Sequence, residues 1–231
     1  MKMSLKLSTV CVSVVALVFS CSVSQAVPIL DQEYAPPPDT VLSENLGAHA
    51  VYQTFSVGLS GLLTQADVYL GQGEFEGIDV DFRVHDTFGT GVPTGPGSLP
   101  DPILSSLVID DADIPEDKGW VSIPLSSEGL RVSTGDVLAF ELLAQVPSST
   151  PDVHHWFGSS GNPYSLGGAF IGYNNVWGYQ VEEVGDGDVD LGFRTYVDPD
   201  APPIPEPTSM ILMVIGLLGL CLFSRLRTLV S

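Results

Sequence analysis

The sequence predicts an all-β fold, an antiparallel β-sandwich of jelly-roll type. Apolar and polar residues alternate in short segments such as 78–84 and 189–197, which is the pattern of strands with one buried face. Clusters of Gly, Pro, Asn and Asp separate these segments, notably at 89–102 and 158–163. No segment has the period of an amphipathic helix. Nine or ten such strands, joined by turns, are typical of two packed sheets.

The first 26 residues predict a secretory signal peptide. Two lysines precede an apolar stretch at 10–20 that is too short to span a membrane comfortably. Small residues then predict cleavage between Ala26 and Val27. Lipidation at Cys21 is the alternative interpretation of the same segment.

The exported part is predicted to have three sections before its tail. Residues 27–48 are expected to form an extended lead-in, since three consecutive prolines favour polyproline II. The sandwich is expected to occupy 49–197. Residues 198–204 are predicted to be a stiff Pro-rich linker that extends about 3 Å per residue. Strands are predicted near 50–57, 66–70, 78–84, 103–109, 121–125, 136–146, 153–157, 168–173, 176–181 and 189–197.

The tail, residues 205–231, predicts a single transmembrane helix. Residues 208–224 carry no charge and would form a helix roughly 25 Å long, slightly less than the ~30 Å of a hydrocarbon core. Arg225 and Arg227 follow the apolar run, as the positive-inside rule predicts for a cytoplasmic end. A buried core helix is the alternative.

The order of the tail is more specific than its hydropathy. Pro205, Glu206 and Pro207 precede the apolar run, and Arg225 and Arg227 follow it. This arrangement resembles the PEP-CTERM sorting signal of exported bacterial proteins. The resemblance implies that the export machinery and a membrane-embedded exosortase handle the chain. It also implies an inner-membrane-anchored intermediate facing the periplasm, which then passes to the cell surface or an extracellular polysaccharide matrix.

A second resemblance covers roughly residues 50–197. Strings such as Ala66-Asp67-Val68-Tyr69-Leu70, 119–125 and 191–196 follow one another in the order seen in extracellular choice-of-anchor domains, most like type R. This resemblance implies an extracellular β-sandwich with no assigned chemistry.

Charge and cysteine content exclude several classes of function. All 28 acidic residues lie between Asp31 and Glu206, where only four basic residues oppose them. Such a domain repels nucleic acid and anionic lipid surfaces and could attract divalent cations. The three cysteines fall in the signal peptide and the tail, so the domain is predicted to have no disulfide and no thiolate site.

The alternating carboxylates of Asp186, Asp188 and Asp190 suggest calcium. An EF-hand loop would need Gly and Glu where this chain has Leu191 and Val197, so that motif fails. An acidic hairpin turn is one interpretation. A calcium site of another type, with help from Asp79 or Asp81, is the other.

Aromatic residues are concentrated between 156 and 179, next to several asparagines. Sugar sites combine aromatic rings, which stack on apolar ring faces, with amide and carboxylate partners for hydroxyls. The candidate glycan contacts are therefore Trp156, Tyr164, Trp177 and Tyr179. The alternative is that these rings fill the core.

No catalytic motif is present. His154 and His155 are adjacent on a strand, so they point to opposite faces and cannot easily chelate one ion. His49 and His85 have no ligand at a recognisable spacing. The sequence therefore predicts a structural or interaction protein of the envelope or its matrix, and not an enzyme. A carbohydrate-binding module is the second hypothesis, and a secreted hydrolase is a distant third.

Overall fold

The fold is all-β, as predicted, and consists of two antiparallel sheets. A computed structural model of the chain describes residues 27–47, 49–93, 103–146, 153–175 and 178–199. Sheet A contains β1 (Ile29–Tyr34), β2 (Ser43–Asn45), β4 (Gly61–Gln72), β7 (Lys118–Pro124), β8 (Arg131–Val132), β10 (His154–Ser160), β13 (Val189–Leu191) and β14 (Phe193–Asp198). Sheet B contains β3 (Ala50–Ser56), β5 (Val80–Asp86), β6 (Ile103–Ile109), β9 (Val137–Ala144), β11 (Ala169–Asn175) and β12 (Gly178–Glu183).

The long strand β4 organises sheet A. It pairs with β14, β10, β7 and β8, while β1 extends the sheet beyond β14. Sheet B has the order β12-β11-β3-β9-β5-β6. Short 3-10 helices at Asp111–Asp113, Ser126–Glu128 and Val184–Gly187 connect strands at the two ends of the sheets.

One aromatic cluster joins the two sheets. The ring of Phe140 lies 4.6 Å from that of Phe55 and 5.2 Å from that of Phe82, all three on sheet B. Phe193 of sheet A completes the cluster, 5.6 Å from Phe55. All four side chains are fully buried, so the alternating apolar residues of both sheets share one core.

The segment expected as an extended lead-in belongs to the sheet. Strand β1 pairs with β14 in the register Ile29 to Val197, and β2 pairs with β10. The sequence did not indicate β1 because it is an edge strand, in which only Tyr34 is buried. An edge strand needs little apolar surface, so its pattern resembles that of a polar loop.

The two ends of the sandwich differ. At the exit pole, β1 begins and β14 ends, next to the loops 57–60, 87–92, 133–136 and 161–168. At the far pole, β4 ends and β7 and β10 begin. The chain therefore enters and leaves the domain at the same pole.

The described residues include no helix long and apolar enough to cross a bilayer. The predicted signal peptide and the predicted helix at 208–224 both lie outside those residues.

Candidate functional site

The outer face of sheet A carries a row of aromatic rings. Tyr69 on β4 alternates with the core residues Val68 and Leu70, and therefore points away from the core. The Tyr69 ring lies 5.0 Å from that of Trp120 on β7 and 6.3 Å from that of Phe157 on β10. All three are only partly buried, so three neighbouring strands present one half-exposed aromatic surface.

Two of the domain's four basic side chains lie on this row. The Arg194 guanidinium is 3.9 Å from the Trp120 ring centroid, and its Nε donates to Glu33 at 2.6 Å. The Lys118 ammonium is 5.6 Å from the Phe157 centroid and donates to the Thr40 carbonyl. These cation–π contacts hold the rings in place.

A groove of about 630 Å³ lies at the far-pole end of this row. Its floor is formed by Tyr69 and Phe157, and the exposed carboxylates of Glu116 and Asp117 stand on its rim. A Cβ atom at Gly71 would lie 2.4 Å from the Asp117 carbonyl oxygen, so only glycine allows the rim to approach β4 this closely. The groove is lined by Pro38, Thr40, Val41, Tyr69, Gln72, Glu116, Asp117, Lys118 and Phe157.

The groove has the size and chemistry of a small-ligand site. Its volume falls in the range of about 300–1,000 Å³ that is usual for such pockets. Tyr69 and Phe157 offer apolar ring faces, and Glu116 and Asp117 offer acceptors for hydroxyl groups. Aromatic faces beside hydroxyl acceptors suit a sugar. Phe157 lies on β10 next to the predicted contact Trp156, whereas Tyr69 lies on β4, where no contact was predicted.

Two of the predicted glycan contacts are core residues. Trp156 is 0% exposed, and its Nε1 donates to the Gly192 carbonyl at 2.9 Å. Tyr164 packs edge-on against Phe193 at 5.0 Å, and its hydroxyl donates to Gln32 Oε1 at 3.0 Å. Burial raises the pKa of Tyr164 to about 12. Neither ring can stack on a sugar, because each is enclosed between the sheets.

The other two predicted contacts stay predictions. Trp177 lies outside the described residues, and for Tyr179 the structure describes the backbone, in β12.

Two of the predicted calcium residues, Asp188 and Asp190, lie in different environments. Asp190 is buried, and its carboxylate accepts from Gln53 Nε2 at 3.1 Å and from the Tyr164 backbone N–H at 2.8 Å. Asp188 is exposed, and Asp186 belongs to the preceding 3-10 helix. In the part of the chain that the structure describes, no three His, Cys, Asp or Glu residues are grouped to hold a metal.

Asp190 gives the domain a pH dependence. Burial raises its pKa above the ordinary value of 3.8, while hydrogen bonds from Tyr164 and Gln53 lower it in part. A raised folded-state pKa means that the folded protein binds this proton more tightly than the unfolded chain does. The stabilisation is therefore full below the unfolded pKa and is lost as the pH rises through the folded-state value.

We expect Asp190→Asn to flatten this dependence. As the pH rises from about 4 to about 7, the free energy of unfolding of the wild type should fall relative to that of the variant. Urea unfolding at both pH values measures the difference. If the free energy of unfolding changed equally with pH in the two proteins, Asp190 would not be the source of the pH dependence.

Sequence reasoning missed a buried ion network on the outer face of sheet B. Glu141 of β9 accepts from Arg83 Nη1 at 2.9 Å, and its other carboxylate oxygen lies against Nε2 of His85. Arg83 Nη2 donates to Asp81 at 3.0 Å, and Gln145 Nε2 donates to the same carboxylate at 2.7 Å. His85 and Glu141 are almost completely buried. The alternation of Asp81, Arg83 and His85 on β5 was a signal that these side chains share one face.

The two adjacent histidines do point in opposite directions. His154 is buried and its Nε2 donates to the Ile78 carbonyl at 2.6 Å, whereas His155 is half-buried on the outer face, 3.2 Å from Ser43 Oγ.

The tail has a recognisable identity. Residues 203–227 match the PEP-CTERM protein-sorting motif. The matched span includes Pro205, Glu206 and Pro207 together with Arg225 and Arg227. It confirms the predicted relation of the tail to this signal, and it supports an exported, cell-envelope-associated protein that an exosortase sorts. No curated protein matches the chain.

The PEP-CTERM motif covers only the tail. The resemblance of residues 50–197 to choice-of-anchor domains has no such support and stays a prediction. The role of the domain must therefore be argued from its own geometry.

Proposed function

We propose that this PEP-CTERM protein is a non-catalytic interaction protein of the cell envelope or its exopolysaccharide matrix. Its sorting tail would be inserted in the membrane through residues 208–224 before exosortase processing. The domain would hold polysaccharide through the groove on sheet A. The observation that carries this proposal is the floor of Tyr69 and Phe157 beside the carboxylates of Glu116 and Asp117.

The negative charge of the domain disfavours anionic polysaccharides as ligands. With all 28 acidic residues of the chain in the exported part, an anionic polymer would be repelled. This repulsion favours a neutral glycan over an anionic one as the ligand. Each stacked ring contributes on the order of 1 kcal/mol, so a single groove binds weakly and retention depends on many copies at the surface.

The test is retention on neutral polysaccharide purified from the producing host. Phe157→Ala should weaken retention about five-fold, which corresponds to the loss of about 1 kcal/mol of stacking. Glu116→Gln with Asp117→Asn should weaken it without changing the melting temperature, because both side chains are exposed. Phe88→Ala, at the exit pole, is the matched control and should bind like the wild type.

Each contrary result identifies another function. Loss of retention in Trp177→Ala but not in Phe157→Ala would move the site to the region of β11 and β12. Release of reducing ends during incubation would indicate a hydrolase. No retention by the wild type would leave a purely structural role.

A further inference from the structure

The exit pole carries most of the exposed apolar side chains of the domain. Among the described residues, eleven large hydrophobic side chains are exposed, and all except Val41, Phe75 and Val108 lie at this pole. Apolar side chains gathered on one surface mark contacts with proteins or membranes.

The turn at 87–92 holds an aromatic ring outward. Phe88 is 48% exposed and has a positive φ of 52°, a conformation that bulky residues rarely adopt. Its N–H donates to Asp86 Oδ1 at 2.7 Å, and Thr90 Oγ1 donates to the Thr87 carbonyl at 2.7 Å. Gly or Asn would form this turn more easily, so the turn itself does not require the phenylalanine.

Hydrogen bonds hold two neighbouring loops at the same pole in place. The Gly58 N–H, next to Leu59, donates to Asp31 Oδ1 at 3.1 Å, which joins the 57–60 loop to β1. Ser56 Oγ donates to the carbonyl of Leu166 at 3.0 Å. The exposed side chains of Leu59 and Leu166 are therefore presented together with Ile29 and Leu30 at the start of β1.

The tail leaves the domain at this same surface. Asp198, the last residue of β14, pairs with Leu62 at the exit pole. Nine residues, 199–207, separate it from the apolar run, and they span at most about 30 Å. A tail inserted in a bilayer therefore keeps this pole close to the lipid.

We propose that the exit pole docks on the bilayer in which the sorting tail is inserted, with Phe88, Leu59 and Leu166 entering the lipid interface. This inference rests on the membrane tether of the proposed function and is independent of the groove at the far pole. Charge attraction to anionic lipid does not contribute to this contact, because Asp86 and Asp136 lie beside it and the whole domain is acidic. Zwitterionic lipid is therefore the partner, and anionic lipid weakens the contact.

The experiment compares two phenylalanines of similar exposure at opposite poles. Phe88 is 48% exposed at the exit pole, and Phe75 is 43% exposed at the far pole. The mature chain, residues 27–231 with Cys221 changed to serine, receives either Phe88→Cys or Phe75→Cys and a polarity-sensitive dye. It is then reconstituted in phosphatidylcholine vesicles. The dye at 88 should shift to the blue and be quenched by spin-labelled lipid, and the dye at 75 should do neither.

Further variants separate the alternatives. Leu59→Glu with Leu166→Glu should abolish the quenching at 88, whereas Val108→Glu, near the far-pole end of β6, should leave it unchanged. Added phosphatidylglycerol should reduce the quenching, and added salt should not. Chains that float with the vesicles but show equal quenching at both positions would overturn the docking alone.

Two other results would also overturn the inference. Chains that fail to float would overturn the tether and the docking together. A blue shift at 88 without lipid quenching, growing with protein concentration, would mean that the surface binds a second copy.

Discussion

Trp156→Ala should lower the free energy of unfolding by about 3–5 kcal/mol, the usual cost of removing a large buried aromatic ring. The side chain is fully buried, so alanine leaves a cavity between the sheets. The substitution also removes the donor to the Gly192 carbonyl. That carbonyl also accepts from the Tyr69 backbone N–H, so it keeps one hydrogen bond after the indole is removed.

Urea unfolding of residues 27–203 measures this loss. Trp120→Ala is the control, because Trp120 lies half-buried on the outer face of the same sheet. It should cost clearly less than Trp156→Ala. Equal losses in the two variants, or a loss below about 1 kcal/mol for Trp156→Ala, would show that the Trp156 ring is not in the core.

Glu141→Ala should also cost about 3–5 kcal/mol, because removing one partner of a buried ion network leaves an uncompensated charge. Arg83 and His85 both direct nitrogen atoms at this carboxylate. His85 is 0% exposed, so water cannot replace the lost partner. The effect should appear as a lower urea midpoint with an unchanged slope.

A triple variant provides the control for this prediction. Replacing Arg83 with Met, and both His85 and Glu141 with Leu, removes the charges together and should restore much of the stability. A triple variant as unstable as Glu141→Ala would mean that the packing volume matters rather than the charge. A small loss in Glu141→Ala itself would mean that the network contributes little.

The sequence predicted the strands that bury one face well, including β6 at the edge of sheet B, and it missed β1, which buries almost nothing. The strand expected at 103–109 is β6, and the alternation at 78–84 falls on β5 with an offset of two residues. Each of these strands buries one face, so apolar and polar residues alternate along its sequence. Strand β1 buries only Tyr34, and no periodicity could distinguish it from a linker.

The site was harder to predict because direction and register are not visible in a sequence. Trp156 and Phe157 are adjacent aromatics, and either could have faced the core. The sheet places Trp156 inside and Phe157 outside, next to Tyr69. Likewise His85 meets Glu141 only through the pairing of β5 with β9, 56 residues further along the chain. The alternation of aspartates likewise did not reveal that one of them, Asp190, is buried and accepts from the Tyr164 backbone N–H.

The pairing of β1 with β14 also determines when this protein can fold. Ile29, near the start of the exported chain, pairs with Val197, near the end of the domain. It cannot pair before Val197 is available. Strand β4 likewise lacks β10 and β14 until most of the later sequence has emerged. Such long-range contacts form slowly, because the loop that they close must be ordered first. When such a chain emerges from a membrane with its N-terminus first, sheet A therefore cannot close until β14 has emerged.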